Sequence, residues 1–309
     1  MAEEASRPNP PLRIMTWGPA KSLSTVFEKC LSFVDGVQII NEPYQCAATL
    51  GPEGIMGGAG TQQGGGDEME KVLEDLSHQI EQHDSGDVGW DDKYCTYEWA
   101  QKTLESDFPG KKLVFCKDLI SGIYGKHDYL PKGYLHTFII RNPLRVGLSL
   151  HTGVVATFLQ PGMTPDQVDI TAVPILNMCP GYGFGEMVEL IEHLKKSGQM
   201  KGEPIIIDAD DLQNHPESII SQYCVKTGIP YSKSLLSWEA GDGIVNRSWI
   251  ISKGFLQANR LMHYFDAAFA STEFKPAKEL PSTLPPDVIK YGKLCEPHYR
   301  KLYDMRIKP

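Results

Sequence analysis

Short apolar runs alternate with amphipathic segments along this chain. The apolar runs are continuous and rich in Val, Ile, Leu and Phe, which is typical of strands in a parallel sheet that is buried on both faces. Five such runs predict strands at residues 13–17, 37–40, 113–116, 135–140 and 204–207.

Helical periodicity fills the segments between the predicted strands. Apolar stripes predict helices over residues 24–33, 68–82 and 184–196, and Pro216 begins a further helix that Gly228 ends. Strands that alternate with helices in this way predict an α/β fold with a mainly parallel sheet. The ligands of such folds bind beyond the carboxyl ends of the strands.

Residues 12–309 are predicted to form one domain that contains one irregular stretch and follows a short tail. Residues 1–11 contain three prolines and two glutamates, so we expect the tail to be disordered. Residues 51–66 contain eight glycines and follow the second strand at the ligand-binding edge of the sheet. We interpret this stretch either as a disordered insertion or as a mobile lid over the site.

Composition and charge narrow the classes of ligand and location. The 309 residues are 41% hydrophobic and carry a formal net charge of −9. Nucleic acids are held mainly by clustered Lys and Arg, so we expect no nucleic-acid partner, and an anionic ligand must meet a local basic site. The sequence shows neither a membrane-spanning apolar run nor a secretory signal, which predicts a cytoplasmic protein. Its seven scattered cysteines indicate reduced thiols rather than a zinc site.

Residues 17–25 join the first predicted strand directly to the first predicted helix. Such a turn leaves the first backbone N–H groups of the helix without internal partners, and the helix dipole adds partial positive charge there. Lys21 brings a full positive charge, and Ser22, Ser24 and Thr25 bring hydroxyl groups. The segment therefore predicts an anion site, although a simple N-capped turn has the same outline. It lacks the G-x-x-x-x-G-K-[ST] pattern of ordinary ATP- and GTP-binding loops.

A second candidate anion site follows the fourth predicted strand. Arg141 ends this strand, Pro143 suits the first turn of a helix, and Ser149 lies about two turns along that helix. We therefore expect Arg141 and Ser149 to bind a second phosphate together.

In combination, these motifs resemble those of the sulfotransferases that use 3′-phosphoadenosine 5′-phosphosulfate (PAPS). The run Lys21-Ser22-Leu23-Ser24-Thr25 is similar to the loop that binds the 5′-phosphosulfate in that family, and Arg141 with Ser149 resembles its 3′-phosphate pair. Residues 251–255 are similar to the late Arg-Lys-Gly element that closes over the same phosphate. One branch of sulfotransferase-like proteins is similar in four further segments, at residues 41–44 (Asn-Glu-Pro-Tyr), 207–212, 228–230 and 236–239.

The resemblance implies a three-layer sandwich of the P-loop-like sulfotransferase fold and the transfer of a sulfuryl group from PAPS to a hydroxyl group. The implied acceptor is a small organic molecule, such as a lipophilic alcohol, a sterol or a phenol, and the nucleotide product is adenosine 3′,5′-bisphosphate (PAP). No metal ion is implied, and a homodimer is left open. The residues implied to bind the nucleotide are Pro19, Ala20, Lys21, Ser22, Leu23, Ser24, Thr25, Arg141, Ser149, Ser252, Lys253 and Gly254.

Sulfuryl transfer needs an in-line arrangement, stabilisation of the leaving phosphate and a base for the acceptor hydroxyl. Lys21 is expected to stabilise the leaving phosphate. Lys117 either assists it or is a solvated lysine at the end of the third strand. Glu42, after the second strand, is the leading candidate for the base, and a strand-end turn that caps a neighbouring helix is its alternative.

Two positions depart from the family pattern. Leu23 stands where the loop usually has glycine, and Leu119 stands where cytosolic sulfotransferases have a histidine. The second departure leaves the base unassigned. The other candidates are Asp118, His127 and His151, of which His151 is interpreted as a packed histidine in a helix.

Two other functions stay open. Asp208, Asp210 and Asp211 resemble a Mg²⁺-binding group and would suit a nucleotide-dependent kinase of a small molecule, although we expect this stretch to cap a helix. A catalytically inactive protein that binds PAP is the other alternative, because Leu119 replaces the histidine.

Overall fold

The computed structural model describes residues 10–56, 89–158, 164–173, 176 and 178–309. In these residues six strands form one sheet, and every hydrogen-bonded pair of strands is parallel. The sheet order is β5-β4-β1-β3-β2-β6, where the strands are β1 (Leu12–Gly18), β2 (Val37–Asn41), β3 (Leu113–Leu119), β4 (Leu135–Ile140), β5 (Ile205–Asp208) and β6 (Trp249–Ile250). The predicted α/β class with a parallel sheet is confirmed.

Helices connect the strands and continue to the carboxyl end of the chain. Those in the described residues are α1 (Ser24–Leu31), α2 (Pro43–Thr49), α3 (Tyr97–Leu104), α4 (Ile120–Ile123), α5 (Pro143–Phe158), α6 (Phe184–Lys196), α7 (Ala209–Asn214), α8 (Pro216–Thr227), α9 (Gly243–Ser248), α10 (Lys253–Leu261), α11 (Asp266–Phe269) and α12 (Pro286–Asp304). In the same ranges, no helix is long and apolar enough to cross a membrane.

All five predicted strands are present, and most of them extend beyond the apolar run that predicted them. The largest extension is in β3, which continues through Lys117 and Asp118 to Leu119. Both polar side chains are buried and have polar partners, so the hydrophobic pattern ends before the strand does. Strand β6 was not predicted, because two residues are too short to show a period.

The predicted helix over residues 184–196 is confirmed at both ends. The helix that Pro216 begins ends before Gly228, whose φ of 81° is a left-handed conformation that suits glycine. Helix α1 is shorter than predicted, since it ends at Leu31. The predicted helix at 68–82, residues 1–9 of the predicted tail and residues 57–66 of the glycine-rich stretch lie outside the described residues.

The sheet lies between two layers of helices. On one face, Met15 and Trp17 belong to a core that includes side chains from α2–α6 and α12. On the other face, Ile14 and Phe115 belong to a core that includes side chains from α1 and α7–α11. Successive residues of β1 therefore point into different layers, as the pleat of a strand requires. The predicted three-layer sandwich is confirmed.

Because the strands are parallel, their carboxyl ends lie along one edge of the sheet. Among the three neighbouring strands β1, β3 and β2, Gly18 of β1 lies beside Leu119 of β3, and Asn41 of β2 lies beside Lys117 of β3. The segments that follow β1, β2, β3 and β4 therefore begin close to one another, and they carry the predicted site residues.

Candidate active site

The loop between β1 and α1 has an unusual backbone. Lys21 and Leu23 have φ values of 60° and 68°, in the left-handed region that favours glycine. Leu23 thus adopts a conformation that suits glycine better than leucine, while its side chain packs against the core on the α1 side of the sheet. This conformation costs roughly 1–2 kcal/mol in backbone strain.

The start of α1 is suited to an anion. Leu23 is the residue before the helix, and in the described structure no side chain caps its first turn, which contains no acidic residue. The buried Ser22 Oγ has no hydrogen-bond partner among the described residues. Backbone N–H groups and a buried hydroxyl are what a phosphate or sulfate group would engage here. The loop therefore has the groups that the predicted anion site requires.

Glycine is required where β1 meets this loop. A Cβ atom on Gly18 would lie 2.8 Å from Ile139 Cγ2 and 2.9 Å from Ser22 Oγ. The chain can turn this tightly only because that atom is missing.

The ammonium group of Lys21 lies within the site and close to an aromatic ring. Its Nζ is 3.6 Å from the ring centroid of Tyr264, in the segment between α10 and α11. Burial lowers the pKa of Lys21 to about 8, and the nearby carboxylate of Glu42 opposes that shift. Lys21 and Glu42, predicted from two different motifs, are therefore electrostatic neighbours.

Arg141 is bound to the same loop. Its Nη1 donates a hydrogen bond of 3.0 Å to the carbonyl oxygen of Lys21, and its Nε lies 3.9 Å from Asp210 Oδ1. Arg145 Nε donates to the other oxygen of Asp210 at 2.7 Å. Asp210 thus pairs with two guanidinium groups beside the loop between β1 and α1 (residues 19–23, here called the phosphate loop after its predicted ligand), and its hydrogen bond is to Arg145. Arg145 was not predicted as a site residue, although its position four residues after Arg141 and four before Ser149 was a readable signal.

Ser149 lies on the face of α5 that leads from Arg145 toward Tyr264. It is half-buried and one turn from both Arg145 and Gly153. A Cβ atom on Gly153 would lie 3.3 Å from the Tyr264 ring, which also contacts Lys21. This face of α5 therefore borders the same space as the phosphate loop. Tyr264 was also missed, because it lies in an irregular segment without a motif.

Glu42 and Lys117 form a buried ion pair at the ends of β2 and β3. Lys117 Nζ donates to Glu42 Oε1, and the two residues are 1% and 4% exposed. Burial opposes the charge of Lys117, but its neighbouring acidic groups, Glu42 foremost among them, outweigh burial and raise its pKa. The alternative of a solvated lysine at position 117 is therefore wrong. Glu42 has a φ of 48° and immediately precedes α2, so it is a third left-handed residue at this edge, after Lys21 and Leu23.

Asp118 binds the backbone at the start of α2. Its Oδ2 accepts from the backbone N–H of Tyr44 at 2.7 Å, and its Oδ1 accepts from those of Gln45 and Leu119. Burial and the nearby Glu42 raise its pKa well above the ordinary value. With both oxygens directed at backbone amides, Asp118 has the role of a helix cap.

The two histidine candidates pack against other parts of the fold. The ring of His127 lies 4.7 Å from that of His193. His193 is ten residues beyond Gly183, the residue that precedes α6, and this separation corresponds to roughly 15 Å of helical rise. His151 Nδ1 lies 2.9 Å from Asp287 Oδ2 at the start of α12. The structure thus gives His151 a packed position with a polar partner, as interpreted.

The third motif is bound by two aspartates that are distant in the sequence. Ser252 Oγ donates to Asp92 Oδ1 at 2.5 Å, Lys253 Nζ lies 3.2 Å from Asp91 Oδ1, and the backbone N–H of Gly254 donates to Asp92 at 3.1 Å. These residues follow β6, four strand positions from β4 and so roughly 19 Å from it across the sheet. The structure does not group them with Arg141, and their contact with a nucleotide stays a prediction.

Asp208, the last residue of β5, caps helix α7, as expected for this group of aspartates. Asp208 Oδ1 accepts from the backbone N–H groups of Asp210 and Asp211, and its Oδ2 accepts from the hydroxyl of Tyr299. Asp211 pairs with Arg306 at 2.6 Å. Among the described residues, no group of three or more His, Cys, Asp or Glu side chains is arranged to hold a metal ion.

These observations define an α/β protein with a candidate anion site in the strand–loop–helix segment at the carboxyl edge of a parallel sheet. The family model of the sulfotransferase domain matches residues 198–300, about a third of the chain. This match confirms the resemblance to sulfotransferases and covers most of the further segments that carried it. Placement in the branch with Asn-Glu-Pro-Tyr stays a prediction.

Two curated proteins and one solved structure are similar to this chain over longer stretches. Two curated proteins of Arabidopsis thaliana, branched-chain-amino-acid aminotransferase-like proteins 2 and 1, are 25% and 26% identical over 94% and 62% of this chain. The chain spans less than half of their lengths, 41% and 28%. The sulfotransferase domain from the Synechococcus PCC 7002 olefin synthase has a TM-score of 0.43 and 16% identity, covering 92% of this chain and 94% of that chain.

Proposed function

We propose that the protein is a sulfotransferase that moves a sulfuryl group from PAPS to a hydroxyl group of a small organic acceptor. The observation that carries this proposal is the convergence of Lys21, Glu42, Lys117 and Arg141 at one edge of the sheet. The sequence match to the sulfotransferase domain supports the reaction class.

The two ends of the donor have matching groups in the chain. The loop amides, Lys21 and the buried hydroxyl of Ser22 suit the 5′-phosphosulfate. Arg141, with Arg145 and Ser149 on the neighbouring face of α5, suits the 3′-phosphate, because guanidinium groups bind phosphate through paired hydrogen bonds. Asp210 pairs with both guanidinium groups before a nucleotide arrives.

In the proposed chemistry, one residue stabilises the leaving group on one side of the sulfur atom, and another accepts the hydroxyl proton on the other side. On the donor side, the Lys21 ammonium stabilises negative charge that grows on the bridging oxygen as the S–O bond breaks. On the acceptor side, Glu42 receives the hydroxyl proton as the new S–O bond forms. Lys117 holds Glu42 Oε1 and fixes the direction of the carboxylate.

One observation favours the alternative of a PAP-binding protein without turnover. Lys117 Nζ already donates to Glu42 Oε1, which leaves only the other carboxylate oxygen to receive a proton from an acceptor hydroxyl. The two functions share the nucleotide site and differ in whether Glu42 accepts a proton.

The test is transfer from PAPS to a panel of alcohols, sterols and phenols in the presence of a metal chelator. We expect a sulfated product and PAP from the wild-type protein. PAP binding without product across the panel would support the binding protein, and absence of both binding and product would contradict the proposed site. Turnover that requires Mg²⁺ and a nucleoside triphosphate would point to a kinase.

A further inference from the structure

Glu28 lies behind the Lys117–Glu42 pair and has no part in the chemistry proposed above. It is on α1, one turn beyond Ser24, and is 0% exposed. Its Oε2 accepts a hydrogen bond of 2.8 Å from Asn41 Nδ2 and lies 3.9 Å from Lys117 Nζ. A carboxyl group from the phosphate-loop helix thus contacts both strands that carry the acceptor-side residues.

Two buried oxygen atoms in this cluster have no hydrogen-bond partner among the described residues. They are Glu28 Oε1 and Asn41 Oδ1, and they belong to the two side chains that already share one hydrogen bond. An ionised carboxylate can only accept, so it cannot satisfy an amide oxygen. A protonated Glu28 can donate from Oε1, and Asn41 Oδ1 is the neighbouring acceptor that lacks a donor. One proton would therefore remove two unsatisfied buried groups.

We propose that Glu28 is a proton-bearing positioning residue, whose neutral carboxyl group pairs with the Asn41 carboxamide and keeps the Lys117 ammonium on Glu42. This inference rests on the proposed function for the roles of Lys117 and Glu42, although the protonation of Glu28 does not depend on it.

The charges around Glu28 agree with a neutral carboxyl group. Burial raises the pKa of Glu28 to about 8, Lys117 and Asn41 lower it, and Glu42 and Asp118 raise it. With Glu28 neutral, the single charge of Lys117 is balanced by Glu42. An ionised Glu28 would place a second carboxylate near Lys117 and compete for its ammonium group.

Glu28→Gln is the informative substitution. The glutamine amide can accept from Asn41 Nδ2 and donate to Asn41 Oδ1, so it reproduces the protonated acid but cannot release a proton. Glu28→Leu keeps the size and loses both hydrogen bonds. Glu186→Gln is the matched control, because Glu186 is also buried but both of its oxygens accept from backbone N–H groups.

The first measurement is the infrared spectrum of the full chain at pH 7. We expect a protonated carboxyl band in the wild-type protein that is lost in Glu28→Gln and retained in Glu186→Gln. A wild-type spectrum from which Glu28→Gln removes only carboxylate absorption would overturn the proposal, whether or not any acceptor is sulfated.

The second measurement is the pH dependence of unfolding. A carboxyl pKa raised from 4.5 to about 8 means that the folded state binds a proton which the unfolded state releases in that interval. Wild-type stability should therefore fall as pH rises through this window, by the equivalent of one bound proton, and Glu28→Gln should lack that component. Equal slopes for the two proteins would contradict a proton on Glu28.

Turnover then tests the positioning role. Glu28→Gln should stay within about threefold of wild-type turnover at pH 7, whereas Glu28→Leu should lose roughly tenfold or more with PAP affinity little changed, as expected when a catalytic group is misdirected. If Glu28→Leu folds and turns over at the wild-type rate, Glu28 does not position Lys117. If no protein sulfates an acceptor but the infrared and unfolding results hold, the proposed function fails and the protonated Glu28–Asn41 pair stands.

Discussion

In the proposed reaction, Lys21 is the residue on which the donor side of the site depends. Its ammonium group is largely buried, has a lowered pKa and faces both Tyr264 and Glu42. A charge in such a place is stabilising chiefly when negative charge develops beside it, which happens as the leaving phosphate departs.

We predict that Lys21→Ala lowers turnover with PAPS by roughly 10²-fold or more, because one well-placed electrostatic stabiliser is lost. PAP affinity should fall less, and steady-state kinetics with a PAP titration would measure both. Lys112→Ala is the control, since Lys112 is an exposed partner of Asp35 next to β3. Unchanged turnover in a folded Lys21→Ala protein would remove Lys21 from the reaction.

In the proposed reaction, Glu42 is the corresponding residue on the acceptor side. We predict that Glu42→Gln lowers turnover by roughly 10²–10⁴-fold while PAP affinity stays near the wild-type value, because the amide keeps the size but cannot accept the proton. His127→Ala and His151→Ala should be mild by comparison. A dead histidine variant that still binds PAP, together with an active Glu42→Gln, would assign the base to that histidine.

At the scale of elements, the geometry of the loop depends on how closely β1, β4 and α1 approach. The side chain of Lys29, on α1, donates to the carbonyl oxygens of Ala268, Phe269 and Ser271. Helix α1 is thus attached to the segment that follows Tyr264.

We predict that Gly18→Ala destabilises the protein by about 1–3 kcal/mol, as overpacking of a tight contact does, and weakens PAP binding. The added Cβ would contact Ile139 and Ser22 at distances below 3.0 Å. Denaturant unfolding and a PAP titration measure the two effects. Gly243→Ala is the control, because its Cβ would meet Arg247 at an ordinary 3.9 Å; equal stability losses would show that Gly18 is not tightly packed.

The elements that the sequence predicted are those with a continuous local pattern. The apolar runs identified five strands, and Pro216 and Gly228 marked both ends of α8. Strand β6 has two residues and α12 contains Pro297, which interrupts the pattern that would announce a long helix. Strand β3 continues through Lys117 and Asp118, because their polar side chains bind tertiary partners. No local sequence pattern shows these partners.

At the scale of the whole molecule, the fold brings together motifs that are distant in the sequence. Some of these contacts could be predicted from the sequence and others could not. That Lys21, Glu42 and Lys117 would meet followed from parallel strands that end at one edge. The contributions of Glu28, Asn41, Arg145 and Tyr264 did not follow, since each depends on side-chain direction across layers. The third motif, residues 251–255, is the opposite case. It was recognisable in the sequence, but its side chains bind Asp91 and Asp92.

The central claim is that the phosphate loop and Arg141 form one site for one nucleotide with phosphates at both ends. Calorimetric titration of the wild-type protein and Arg141→Ala with PAP and with adenosine 5′-phosphate tests it most directly, with Arg247→Ala, an exposed partner of Glu239, as control. We predict that Arg141→Ala weakens PAP binding roughly 10- to 100-fold, the loss expected for hydrogen bonds to a charged group. Binding of adenosine 5′-phosphate, which lacks the 3′-phosphate, should change by less than about threefold, since Arg141 is expected to hold the other end. Equal losses for the two nucleotides would contradict the claim.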